Sequence, residues 1–151
     1  MTEVIAEAFS YLPSELARVL ANVHFFEGDP IFAGLHNKVS HDNRSFTETA
    51  HCCWYFQQET LPVCERVTTI VLPPREKNRG VRTVIHELGH YLDELDGFSW
   101  MAAPVNSYAR TDRYEAFACA FESWVFEDDG IKKLHNTIRM FDQWATGERP
   151  R

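Results

Sequence analysis

His86-Glu87-Leu88-Gly89-His90 is the stretch on which the reading of this chain turns. In a helix, residues four apart lie one above the other on the same face. Both imidazoles can then reach one metal ion, while Glu87 is turned to the side of the pair. Two histidines with one further ligand hold zinc and leave a coordination position for water. A neighbouring glutamate is the group that takes that water's proton.

A bare match of this length also arises in ordinary amphipathic helices, so its surroundings decide. Ile85, Leu88, Leu92 and Leu95 recur at spacings of three and four, the apolar stripe of a core-facing helix. On a helical wheel His86 and His90 fall to one side of that stripe, with Asp93 beside them. The helix therefore has a greasy face and a separate ligand face.

A third ligand is needed, and the run from Asp112 to Trp124 offers one. It reads as a second helix whose buried stripe is Phe117, Phe121, Trp124 and Val125, with Glu115 and Glu122 directed away from it. Glu115 is the expected ligand; the plain alternative is a solvated glutamate favoured by the helix dipole. Asp96 is the rival. A ligand six residues after the second histidine requires glycine three residues after it, so that the chain can turn. Asp93 occupies that place, and Leu92 and Leu95 continue the helical stripe, which leaves Asp96 the weaker candidate.

Ser107-Tyr108-Ala109-Arg110-Thr111-Asp112, then Glu115-Ala116-Phe117-Ala118 and Ala120-Phe121, resembles the peptidase domain of anthrax lethal factor and its relatives. His86 through Asp93 matches the metal-binding helix of that family, and the resemblance covers roughly residues 66 to 126. It implies an α+β gluzincin fold, a small zincin-like metallopeptidase domain with a zinc-binding helix, a second ligand-bearing helix and a small mixed sheet. It further implies one Zn2+ per chain on His86, His90 and Glu115, with Glu87 as general base. Tyr108 would donate its phenol to the developing oxyanion. Cys119 departs from the pattern, standing where relatives often have a second glutamate one turn after the ligand. Asp93 has two readings: an acceptor for the free ring N–H of a ligand histidine, or an exposed charge near a helix end.

Composition bounds the alternatives. At 151 residues the chain is expected to be one domain, 1–151, long enough to bury a proper core. Within it, 1–65 supplies a helix and sheet part, 66–126 the motifs and 127–146 a final helix. A formal charge of -7 argues against nucleic acid as partner, which selects basic surfaces. Apolar stretches are too short for a membrane span. Met1 to Glu7 is acidic and lacks the regions of a signal peptide, so the expected setting is cytoplasmic, or release without an N-terminal signal. In that setting Cys52, Cys53, Cys64 and Cys119 are expected as reduced thiols. A structural zinc on His51, Cys52, Cys53 and Cys64 is disfavoured, because the spacing fits no standard knuckle.

Elsewhere the chain is read more coarsely. Pro13 to Val23 is expected as a helix on Leu16, Val19, Leu20 and Val23. His24 to Phe32 is broken by a turn at Gly28-Asp29-Pro30, and Gly34 to Ser45, with His36 and His41, reads as loop. Arg66 to Leu72 is the clearest strand, stopped by Pro73-Pro74, and Arg75 to Gly80 links it to the histidine helix. Phe98 to Thr111 is a loop that must carry Tyr108 toward the metal. Gly130 introduces a last helix on Ile131, Leu134, Ile138 and Phe141, and the tail from Gly147 is expected to fray.

In proteases of the resembled kind, an edge strand ahead of the zinc helix lines the cleft and binds peptide by strand addition. Arg66 to Leu72 is expected in that place. Trp100 and Met101 either line a side-chain pocket or, preferably, cap the core. The resulting expectation is a zinc-dependent endopeptidase acting on a limited set of protein or peptide substrates, with the oligomeric state left open. Two alternatives stand beside it. One is a metal-binding or interaction protein of the same fold with little turnover, and the other a cytosolic HExxH peptidase of the type that cleaves repressors.

Overall fold

The computed structural model describes residues 2–27, 35–36, 51–55, 62, 68–72 and 80–148, with backbone alone at 2, 35–36 and 51–55. Helices α1 (Thr2–Ser10) and α2 (Ser14–Leu20) lead into strand β1 (His24–Glu27). Strands β2 (Leu35–His36), β3 (His51–Tyr55) and β4 (Thr68–Leu72) follow. Helices α3 (Val81–Leu95), α4 (Arg113–Val125) and α5 (His135–Ala145) complete a mixed α+β architecture. Short 3-10 turns at Tyr108–Arg110 and Asp129–Ile131 precede α4 and α5.

The four strands form one sheet in the order β1-β4-β3-β2. β1 runs parallel to β4, and β3 is antiparallel to both β4 and β2. β4 therefore has a neighbour on each side, which overturns the expectation that the strand ahead of the histidine helix is an edge. All five of its residues are buried, the mark of an inner strand covered on both faces. Its backbone groups are taken by β1 and β3, so no added peptide strand can pair with it. Leu35–His36 is a second correction, since this part of the expected loop is strand. The rest of that loop lies outside the described residues, as do the Gly28-Asp29-Pro30 turn, Cys64, Arg66–Val67 and most of the linker before Gly80. The side chains of His51, Cys52 and Cys53 lie outside them too.

α3 lies across the sheet against β3 and β4. Near its end Thr68 Oγ1 donates a 2.8 Å hydrogen bond to Glu94 Oε1. Its buried face is wider than the stripe, for Val84 and Tyr91 join Ile85, Leu88 and Leu92, whereas Leu95 emerges to 36% exposure. The helix stops for a local reason. Gly97 takes a left-handed conformation at φ 66, its N–H reaching the Glu94 carbonyl and that of Phe98 the Asp93 carbonyl, each at 2.9 Å. This is a Schellman closure, which satisfies carbonyls the helix would leave unpaired.

The N-terminal residues add α1, which the sequence pattern did not announce, and α2 falls inside the expected Pro13–Val23 span. The final helix is shorter than expected. Asp129–Ile131 winds as a 3-10 turn and Leu134 flanks α5, whose buried side is Thr137, Met140, Phe141 and Trp144. A change of helix type resets the 3.6-residue period, so the stripe begun at Ile131 does not carry through. The main core cluster runs from Ala8 of α1 through Leu16, Ile70, Leu88 and Phe121 to Trp144 of α5. No helix among the described residues is long and apolar enough to cross a membrane.

Phe141 is the hub of the aromatic packing between α4 and α5. Its ring centroid lies 5.5 Å from Phe117, 5.4 Å from Phe121, 5.5 Å from Trp124 and 6.0 Å from Trp144. Phe141→Ala is expected to cost about 3–5 kcal/mol of stability. Urea denaturation checks this; a midpoint close to wild type would contradict the packing.

Candidate metal centre

The site is made by the close approach of α3 and α4. Gly89 faces α4, and a Cβ placed on it would stand 3.0 Å from Ala118 Cα and 3.2 Å from Phe121 Cβ. Only a glycine lets the two backbones come this near. α4 begins at Asp112, whose Oδ1 accepts a 2.8 Å hydrogen bond from the Glu115 N–H. That cap satisfies a free amide of the first turn and fixes where Glu115 sits relative to α3.

Glu115 then meets both histidines. His86 Nε2 is 3.0 Å from Glu115 Oε2, and His90 Nε2 is 3.3 Å from Glu115 Oε1. One donor atom from each of the three residues lies within 4.8 Å of the others. Tetrahedral zinc ligands at about 2.0–2.2 Å stand roughly 3.4 Å from one another. The separations and the nitrogen and oxygen donors therefore fit a single metal ion. Glu115 is buried and the imidazoles are largely so, with 15% and 11% of their side chains exposed.

The remaining expected residues fall around this triangle. Glu87 is buried at 7% exposure, close enough to His90 for its charge to act on the ring. Tyr108 sits on the 3-10 turn at the rim, 39% exposed, with its ring centroid 6.3 Å from that of His86. Asp96 is excluded from the triangle; it flanks the end of α3 and accepts a hydrogen bond from Ser99. Asp93 is fully buried, which removes the reading as an exposed charge, but neither of its oxygens has a hydrogen-bond partner among the described residues. The other reading, a bond to a ligand histidine, is not made among the described residues either, and Arg113 Nη2 lies 3.9 Å from Asp93 Oδ1.

Trp100 packs on the main core as preferred, whereas Met101 is 72% exposed. Both line an open groove of about 470 Å³ whose other wall is Lys133 to Thr137. Sequence reasoning left one residue without a role: Glu122, whose Oε1 lies 3.7 Å from His86 Nδ1. Its place on the ligand face of the second helix was the available signal.

The electrostatics follow from burying acids beside bases. Burial opposes charge on His90, but Glu115, Glu87 and Asp93 outweigh it and push the imidazole up to about 9. Burial pushes the Glu115 carboxyl up, while hydrogen bonds and charge from His86 and His90 more than reverse this and hold it well below the usual range. Burial lifts Asp93 to about 7, against the pull of Arg113 and His90. Cys119 is pushed up to about 12 by burial and then by the charges of Glu115 and Glu122, so it is a neutral thiol rather than a thiolate ligand.

Comparison with family models, with curated proteins and with solved structures returned no match.

Two expectations follow from this geometry. Zinc bound after incubation and gel filtration should be lost in Glu115→Ala and kept in Asp96→Ala, measured by elemental mass spectrometry; the reverse pattern would make Asp96 the third ligand. In chelator-treated protein, the raised pKa of His90 contributes stability that is full below its ordinary value near 6.5. That contribution is lost as pH climbs through about 9. The melting temperature of chelated protein should therefore fall between these limits, and zinc should abolish the fall because it binds the deprotonated rings. A flat profile without metal would contradict the His90–Glu115 pairing.

Proposed function

We propose that this chain is a zinc-dependent endopeptidase of the lethal-factor type, cutting peptide bonds in a limited set of protein substrates. The observation that carries the proposal is the convergence of His86, His90 and Glu115 beside a buried Glu87. A His-His-Glu set of borderline and hard donors suits zinc, and three protein ligands leave a position open, as hydrolytic sites require. Zinc held there would polarise the scissile carbonyl and lower the pKa of a water to about 7.

The chain's own residues do the rest. Glu87 accepts the proton of the attacking water and passes it to the leaving amine; its burial keeps competing water from the carboxylate. Tyr108, whose ring lies beside His86, donates its hydroxyl to the carbonyl oxygen as negative charge develops there. Glu115 would neutralise part of a bound metal's charge, and the Asp112 side chain, which accepts its backbone N–H, holds it fixed while the substrate enters.

The closing test separates catalysis from binding. Glu87→Gln is expected to retain zinc while hydrolysis of a peptide library falls below detection. Tyr108→Phe should keep its metal and lose about 10²–10³ in turnover, the usual loss for one oxyanion donor. Wild-type rates in Glu87→Gln would remove the general base. A wild type that binds zinc yet cuts nothing would favour a metal-binding protein without turnover.

A further inference from the structure

We infer that Glu122, held in place by Arg82, is the positioning residue that orients His86 for the metal, in the role that Cys119 cannot fill. The inference rests on the metal centre proposed above. His86 presents its two ring nitrogens to two different carboxylates: Nε2 is at hydrogen-bond distance, 3.0 Å from Glu115 Oε2, and Nδ1 faces Glu122 Oε1 at 3.7 Å, a charge contact slightly longer than a hydrogen bond. A ligand imidazole uses one nitrogen for the metal and donates its other N–H to an outer acceptor. That acceptor fixes the tautomer and the ring plane and raises the ring's basicity.

Glu122 is well placed for this. It stands seven residues after Glu115, two turns along the same face of α4. Its other oxygen, Oε2, takes a 2.8 Å ion pair from Arg82, which projects from the first turn of α3. Arg82 is fixed in turn by Asp128 and lies over the Phe126 ring, 4.5 Å from its centroid. The carboxylate is thus anchored on one side and faces His86 on the other. It is also partly shielded, with 24% of its side chain exposed.

Cys119 lies one turn nearer the ligand but is buried, neutral and a poor acceptor. Among the described residues, the three atoms that converge on the metal position do not include one from Glu122, so its part is orientation rather than ligation.

The experiment measures zinc affinity by competition with a chromophoric chelator, together with the melting temperature of the chelated protein. It compares wild type, Glu122→Ala, Glu122→Gln, Arg82→Ala and His86→Ala. Glu122→Ala should weaken zinc about 10–100-fold, the usual cost of losing an outer partner. Glu122→Gln should weaken it less, because its amide oxygen keeps a dipole facing the ring but carries no charge. Arg82→Ala should shift affinity in the same direction. Melting temperatures of the chelated Glu122→Gln and wild-type proteins should agree, placing the loss at the metal.

If both Glu122 variants bind zinc as wild type does while His86→Ala does not, Glu122 has no positioning role and the metal centre stands. A lowered melting temperature with unchanged affinity would equally overturn the inference. Should Glu122→Ala fail to fold, Glu122→Gln decides the matter alone. A wild type that takes up no zinc overturns the metal centre and this inference together.

Discussion

The contact between Gly89 and the Ala118–Phe121 segment is the constraint on which the site depends. Glycine inside a helix costs about 1 kcal/mol relative to alanine. Here that cost is offset by the packing it permits, since a methyl at position 89 would drive α4 outward against backbone as well as side chain. The spacing of His86 and His90 is a property of one helix and would survive such a shift. The distance from those rings to Glu115 is a property of two helices and would not. The same glycine that weakens α3 locally therefore sets how deeply the third donor sits.

Burial around this contact concentrates charge where folding alone would not put it. Glu87, Asp93 and Glu115 are all buried within reach of the His90 imidazole. A buried carboxylate is costly unless it is paired and hydrogen-bonded. Glu115 is paired with both rings, whereas Asp93 faces Arg113 at 3.9 Å and has no hydrogen bond among the described residues. Local violations of this kind cluster where a fold performs a task, and here they surround one triangle of donor atoms.

How much of this was legible depends on whether the signal is local. The HExxH helix, the second helix and Glu115 were all readable, because ligand and core faces separate cleanly at helical spacing. The exclusion of Asp96 was readable for the same reason: the stripe through Leu92 required helix where a turn was needed. The position of β4 was not read correctly, although Thr68-Thr69-Ile70-Val71-Leu72 carried a hint in its lack of strict polar alternation. Sheet order is a long-range property, and no residue in a strand names its neighbours. β2 is only two residues long, and α5 is offset by a 3-10 turn that periodicity cannot foresee. Burial of Asp93 escaped as well, for a charged side chain at a helix end reads as solvated unless the packing above it is known.

The proposed role of Glu122 does not require a carboxylate one turn after Glu115, where Cys119 stands. The outer shell requires a charge or acceptor facing the far nitrogen of a ligand imidazole, and a helix offers that face at more than one turn. With a neutral thiol nearer Glu115, the residue on that face able to meet the proposed requirement is Glu122. Moving outward changes what that carboxylate must bind. At Cys119 it would be enclosed, whereas at Glu122 it reaches the surface end of α3 and can be fixed by Arg82. That bridge joins the start of α3 to the end of α4 at the site's own margin. Under the proposed role it would couple the orientation of His86 to the same helix pair that Gly89 holds together, so that packing and ligand geometry would be one constraint rather than two.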